Sequence, residues 1–533
     1  MAFLASKIVD VEPKLLLGVS GLLVAVVAYI LSRRTEKLVG IPVMTGYEDH
    51  EQAMLEGTLK VRDMVNIYPT IPFVVETQRP LVIVPTNCYE ELSRIPQTKA
   101  SFWGVQKQEM CAEYTGIFQH NVELNQALRL HLHRNLAGTV DQVEDKIDWV
   151  FERELGHSDS WKAFRVHEVV VRIVARLVAG VFVGQRFTRD DEWTELSLGL
   201  ATDLVYARDA IKRWPIWAQP IVGPFLPDIR TVNRQISRMA EMLKPVIKDS
   251  VLEGSGSMRR TVYDEEKINL EGEGTEPEGT FMSWVLSRLD TTDPEVLARV
   301  QLSLSFASIN TTTNALCFIW LDLAARPEYT QPLRDEIEEV IRQDNVQEDE
   351  KGVLRWKQAS LNKLWKLDSF MKESSRLSKN GITNLRMVMD PITLSTGHRL
   401  PKGTRIAFDT RSVHTSTTTQ AFSPEYNPPD NKPPNEFDGF RFYRLRKMAG
   451  KENKHRFVTS SPESLTWGYG DHACPGRFFA DYELKVLLVE FLRKWDFRVR
   501  DPVKTNSESL RKMRELVVVV PRDAEIELRR RKV

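Results

Sequence analysis

A single cysteine set in a glycine-rich turn constrains this chain more than any other feature. The stretch Trp467-Gly-Tyr-Gly-Asp-His-Ala-Cys474-Pro-Gly-Arg-Phe-Phe-Ala480 carries Gly468, Gly470 and Gly476, which let the backbone turn tightly and approach a flat ligand. Pro475 suits the first turn of a helix, and the apolar spacing from Asp481 to Leu492 continues one. Cys474 is therefore expected at a helix N-terminus, where the dipole and the free amides favour a thiolate over a thiol. Such a thiolate can be the axial ligand of a haem iron. A buried structural cysteine is the alternative that the turn alone leaves open.

The 533 residues suffice for a large core, and the 73 basic and 73 acidic side chains cancel. A nucleic-acid binder held by general electrostatics is thereby disfavoured. The four cysteines, Cys88, Cys111, Cys317 and Cys474, show no paired spacing, which argues against a disulfide framework or a zinc site and fits a reducing compartment. Leu15 to Leu31 is an uncharged, largely apolar run followed by Arg33, Arg34 and Lys37. Its length lies at the short end of what spans a bilayer, and the trailing positive charge predicts that the rest of the chain stays cytosolic. No small-residue cleavage site follows, so a retained signal anchor is expected in preference to a cleaved signal peptide.

Beyond the anchor, Gly40 to Gly46 reads as a short stiff linker. Residues 60–87 alternate like strands, most clearly at Phe73-Val-Val-Glu and Pro80 to Pro85. Helical periodicity dominates residues 120–250, and Gly254 to Gly279 reads as an exposed loop. Asp293-Pro294 starts a long helix that Arg326-Pro327 ends. Ile392-Thr-Leu and Thr404 to Phe408 flank Pro401-Lys-Gly like a hairpin, and Leu516 to Val520 is a further strand. The pattern is mainly α with small β-sheets.

Two further constellations carry chemistry. Glu373 and Arg376 stand three apart on one helix face, where they can pair; alone, such a pair is commonly a surface salt bridge. The long helix contains Ala307-Ser-Ile-Asn-Thr-Thr312, whose hydroxyls in a buried helix can simply bond back to the preceding turn.

The cysteine loop resembles the haem-binding signature of the cytochrome P450 family, aromatic-Gly-x-Gly-x-basic-x-Cys-x-Gly, with Trp467 in the usual phenylalanine place and His472 in the basic place. The resemblance extends over essentially the whole chain after residue 40. It implies the cytochrome P450 fold preceded by one transmembrane helix: residues 1–14 a short segment, 15–31 the anchor, 32–46 the linker and 47–533 the catalytic domain. It implies haem as cofactor, with Cys474 as its iron ligand and Gly468, Gly470 and Gly476 around it. His472 and Arg386 become candidate partners of the haem propionates. The third contact, a Trp-x-x-x-Arg pair on an earlier helix, is not evident; Arg129-Leu-His-Leu-His-Arg134 offers substitutes. Glu373, Arg376 and Arg441, the last in Phe437-Asp-Gly-Phe-Arg-Phe, are implied to be structural. Lys379 departs from the proline common in the family. Thr311 matches the proton-relay threonine, and Asn310 replaces the usual acid beside it, so an ordered water chain would take the place of a carboxylate relay.

The function implied by this resemblance is that of a haem-thiolate monooxygenase, fed electrons from NADPH by a reductase and inserting one oxygen atom into an apolar small molecule. Hydroxylation, epoxidation and multi-step oxidation are all compatible. The loop details look most like fungal microsomal members that tailor secondary metabolites, with a terpenoid or meroterpenoid as first substrate class, then a polyketide or an alkaloid. Phe102, Trp103, Phe306 and Ile382 are guessed substrate contacts. Expected partners are the reductase, cytochrome b5, the substrate and the membrane, and no nucleic acid; the expected location is the endoplasmic reticulum with the catalytic domain in the cytosol. A haem-thiolate isomerase or dehydratase needing no external electrons, and a non-catalytic haem-binding protein, remain as alternatives.

Overall fold

The computed structural model describes residues 38–44, 61, 63–75, 80–119, 121–132, 134–257, 280–286, 289, 291–350, 352–378, 381–416, 422–423, 428–500, 511–514 and 517–532. The expected anchor at 15–31, Lys379 and most of the expected loop at 254–279 lie outside them. Among the described residues no helix is long and apolar enough to cross a membrane.

The strands, in chain order, begin with β1 Val43–Met44, β2 Phe73–Val75, β3 Leu81–Val84, β4 Ala100–Ser101 and β5 Lys162–Arg165. Later come β6 Ile382–Val388, β7 Ile392–Thr393, β8 Arg399–Leu400 and β9 Arg405–Asp409. The C-terminal ones are β10 Trp495–Val499, β11 Lys512–Arg514, β12 Val517–Val519 and β13 Glu525–Arg530. The largest sheet runs β1-β2-β3-β9-β6-β4, and three small sheets join β10-β13-β5, β11-β12 and β7-β8. Alternation in sequence becomes two buried faces: Val82, Val84, Ile406 and Phe408 lie in one cluster, while Leu81, Ile83 and Ala407 lie in another.

The helices that frame the site are α1 Phe102–Glu109, α2 Leu136–Leu155, α3 Val166–Phe182, α4 Pro227–Ser257, α5 Pro294–Ala325, α6 Trp365–Ser378, α7 Arg441–Arg446 and α8 Arg477–Lys494. The long helix α5 starts as its sequence demands: the Asp293 carboxylate accepts the Glu295 amide at 2.9 Å and Pro294 follows the cap. It is apolar on most sides and packs against α3, α4 and α6, so it runs through the main core rather than along the surface.

Three local expectations change. Residues 63–67 are helical, so the strand-like alternation begins only at Phe73. The hairpin expected around Pro401 does not form between its two flanking runs: β7 pairs with β8, while β9 lies between β3 and β6 in the large sheet. Burial explains this, because Ile406, Ala407 and Phe408 are apolar on both sides and require a central position. Finally, α8 begins at Arg477 with Gly476 as its N-cap. Pro475 therefore precedes the helix instead of filling its first turn.

Candidate functional site

The cysteine turn is built by its own backbone. The Cys474 amide donates to Trp467 O at 2.7 Å, Gly468 N to Leu465 O at 3.0 Å and Ala473 N to Gly470 O at 3.0 Å. Gly468 and Gly470 adopt left-handed φ values of 74° and 63°. A Cβ on them would lie 2.7 Å from His472 O and 2.5 Å from Ser93 O, so both positions require glycine. Gly476 differs, since a Cβ there would meet nothing within 4 Å. The turn thus keeps open space beside the cysteine. Cys474 sits two residues ahead of the α8 cap, half-buried, and Arg477 donates to its carbonyl at 2.8 Å.

The cations around this turn are arranged differently from expectation. His472 was expected as a charged partner for an anion. Its Nε2 instead meets Ile95 O at 2.7 Å and its Nδ1 meets Gln97 Nε2 at 2.8 Å. Burial, together with the charges of Arg386 and Arg129, pushes its pKa down to about 4. It is therefore neutral near pH 7, and both ring nitrogens are already used. Arg386 is the cation that stays available. It is 4 % exposed, its Nε has no hydrogen-bond partner, and its Nη1 reaches only the Asn384 carbonyl at 3.1 Å. Burial lowers its pKa to about 10, which leaves it charged near neutral pH, and no carboxylate pairs with it among the described residues. A β-bulge between Thr383 and Arg386 aims the side chain, with Asn384 at φ 54°. Arg129, in the π-helical stretch Leu128–Leu132, donates to Asp471 O at 2.8 Å. Arg129, offered by its segment, is thereby brought to the turn.

On α5, Ala307, Asn310 and Thr311 are exposed, although Leu304, Ser305, Ile309, Thr312 and Thr313 around them are buried. The spacing of three and four places the exposed residues on one face, midway along a helix that crosses the core. The Thr311 hydroxyl donates to Ala307 O at 2.7 Å, and Asn310 Nδ2 to Phe306 O at 3.0 Å. Bonding back to the preceding turn is thus present, and the hydroxyl oxygen retains lone pairs toward the open face.

Glu373, Arg376 and Arg441 form a closed cluster, not a surface pair. Arg376 grips Glu373 in a fork with both contacts at 2.7 Å and donates to His414 O at 2.6 Å. Arg441 reaches the same carboxylate at 3.2 Å and the carbonyls of Lys432, Pro433 and Glu436 at 2.6, 2.9 and 3.1 Å. The Asp438 amide completes the carboxylate at 2.9 Å. Burial pushes Glu373 upward, but Arg376 and Arg441 outweigh it and hold the carboxyl below its ordinary range. This ties α6 to the segment leading into α7.

The guessed substrate contacts separate. Phe102, Trp103 and Phe306 belong to one chain of rings that passes through Phe118, with Trp103 and Phe306 half-buried and Phe102 37 % exposed at the start of α1. Ile382 is corrected: at 2 % exposed it packs with Phe73, Leu81 and Ala407 beneath the large sheet, because its place in β6 points it to that face. Sequence reasoning missed Gln97 and Ile95, and the left-handed turn at Asn384. A left-handed asparagine in a strand and a backbone carbonyl leave no pattern in a single sequence.

These features fit a flat, dianionic iron macrocycle. They supply a cysteine at a helix N-terminus beside open space, a buried guanidinium without a counter-ion, and an opening on the long helix flanked by small side chains. A sequence model of the family described as Cytochrome P450 matches residues 106–527. The chain is 37 % identical to Cytochrome P450 monooxygenase ascG of Acremonium egyptiacum, over 96 % of its own length and 95 % of that protein's. It is 32 % identical to Cytochrome P450 monooxygenase 3 of Gibberella fujikuroi, covering 91 % and 90 % of the two chains. A third relative, Cytochrome P450 monooxygenase BOA7 of Botryotinia fuckeliana, is 34 % identical over 81 % and 80 %.

Proposed function

The chain belongs to the cytochrome P450 family of monooxygenases, and on that premise we propose that it oxidises an apolar product of fungal secondary metabolism at a haem held by Cys474. Bound there, haem would supply the activation of dioxygen needed to insert one oxygen atom into a C–H or C=C bond, with two electrons from NADPH through a reductase and two protons taking the second oxygen atom to water.

The side chains divide the remaining work. Cys474 supplies the thiolate, stabilised by the α8 N-terminus and by Arg477 nearby. Arg386 and Arg129 would hold the propionates, and neutral His472 braces the turn through Gln97 and Ile95. Ala307 leaves room on the long helix, and the Thr311 hydroxyl holds a proton at the reacting face. Asn310 donates an amide where an acid would offer a carboxylate, so water carries the proton to Thr311. Glu373, Arg376 and Arg441 keep the frame beneath the turn rigid. The buried, unpaired Arg386 next to the cysteine turn is the observation that carries this reading.

A terpenoid or meroterpenoid is the first substrate class, supported by the half-buried rings of Trp103 and Phe306 and by the chain's match to fungal monooxygenases; polyketides and alkaloids come next. The apolar run at 15–31 and the basic residues after it support anchoring in the endoplasmic reticulum. There the reductase, and cytochrome b5 as a second donor, would meet the exposed catalytic domain. In membranes carrying the full chain, the reduced carbon monoxide complex should show the red-shifted Soret band of thiolate-ligated haem, and Cys474→Ala should abolish it. A wild-type protein without that band sinks the proposal. Turnover without NADPH and reductase would point instead to an isomerase or dehydratase, which the amide at Asn310 would suit.

A further inference from the structure

The segment just before residue 119 is fastened to the long helix α5 at two successive turns, both ahead of the exposed Ala307–Thr311 face. At the first, Arg299 reaches Thr115 O and Asn233 Oδ1, each at 3.4 Å. Its guanidinium fills the space beneath Gly116, where a Cβ would collide with Nη1. At the second, buried Ser303 donates to Arg299 O at 2.8 Å and accepts the Phe118 amide at 2.9 Å. Phe118 holds a left-handed φ of 61°, a conformation disfavoured for any residue with a Cβ. The hydrogen bond to Ser303 is what retains it.

This backbone turns the Phe118 ring back between two others. Its centroid lies 5.7 Å from Trp103 and 6.2 Å from Phe306, the latter nearly edge-on at 78°. Phe118 is 3 % exposed, whereas Trp103 and Phe306 keep part of their surface open. Phe306 lies one helical turn before exposed Asn310, which donates to its carbonyl at 3.0 Å, so the ring chain ends beside the exposed face of α5. A wedge whose own position is set by the backbone determines how far apart its two partners stand.

Resting on the monooxygenase reading above, we infer that Phe118 and Ser303 are positioning residues that fix Trp103 and Phe306 as an aromatic wall of the substrate chamber, selecting substrates that present a flat unsaturated ring. Edge-to-face contact rewards such a ring over a branched aliphatic group, so within the proposed classes it favours the aromatic part of a meroterpenoid over a purely aliphatic terpenoid. Neither residue touches the reacting atoms. Both act through the wall.

The test uses purified holoenzyme and three azoles that ligate haem iron: imidazole, 1-phenylimidazole and 1-hexylimidazole, with dissociation constants read from the Soret shift. Phe118→Ala is expected to weaken 1-phenylimidazole about tenfold while changing the other two less than twofold. Ser303→Ala is expected to weaken it about threefold, speed hydrogen exchange of the Phe118 amide at least tenfold, and add nothing on the Phe118→Ala background. Equal effects on all three azoles, multiplicative effects of the two substitutions, or unchanged amide exchange would overturn the inference. Should Phe118→Ala lose the carbon monoxide band, Phe118→Leu takes its place with a threefold effect expected, and no change there also overturns it. Failure of the monooxygenase reading is distinguishable, because it removes the band from the wild type itself.

Discussion

Two groups of buried charge in this molecule are handled in opposite ways. Around Glu373 each charge has its answer inside the protein: a forked arginine, a second arginine, a backbone amide and a ring of carbonyls. Around Cys474 the cation Arg386 has one carbonyl, that of Asn384, and the Phe408 ring, but no carboxylate among the described residues, and its Nε stays without a partner there. The first group is finished by folding alone. The second is finished only by something the polypeptide does not contain. A guanidinium cannot escape by losing its proton, so a buried unpaired arginine marks the place of an anion more sharply than any acid would.

Breaking the finished group should have the largest effect. Glu373→Ala strands Arg376 and Arg441 in the interior, and a loss of about 3–5 kcal/mol is expected. Thermal denaturation and haem content of the purified protein measure it, and a stable, fully loaded variant would dissolve the contrast. A sharper control is Glu483 on α8, fully buried, with neither carboxyl oxygen partnered. Burial alone pushes its pKa up to about 8. The folded value exceeds the unfolded one, so this group's stability is present at acid pH and is lost as pH rises from the ordinary carboxylate range through about 8. Glu483→Gln should therefore change little at pH 5 and stabilise by up to about 4 kcal/mol above pH 8. Equal effects at both pH values would mean that the carboxyl is paired after all.

Arg386→Met should have effects of opposite sign in the two forms of the protein. Without haem it removes an uncompensated buried charge, and a gain of about 1–3 kcal/mol is expected. With haem bound the proposed contact to a propionate is lost, so haem should transfer to an acceptor apoprotein about tenfold faster. Paired melting curves and transfer rates decide this; loss of stability in both forms would place Arg386 with the finished group.

Much of this was legible in one sequence because the relevant constraints are local. The start of α5 is written in Asp293-Pro294, its end in Arg326-Pro327, and the cysteine turn in glycines whose left-handed φ values nothing else tolerates. The Glu373–Arg376 pair is local too, but its burial is not: helical spacing looks the same on a surface and in a core. His472 shows the same limit. Its place in the loop suggested a charge, whereas burial and the charges of Arg386 and Arg129, all set by distant segments, push its pKa down to about 4. The hairpin expected at Pro401 failed because the central place of β9 between β3 and β6 depends on partners far along the chain.

The sequence by itself determined the chemistry. A cysteine, the glycines around it and the helix after it form one short stretch whose conformation short-range sterics dictate. Only the tertiary structure decided which cations remain free for an anion, which side of the long helix stays open, and how Phe118 stands between Trp103 and Phe306. Those outcomes depend on desolvation and on contacts between distant segments, and both come into being only when the chain is packed.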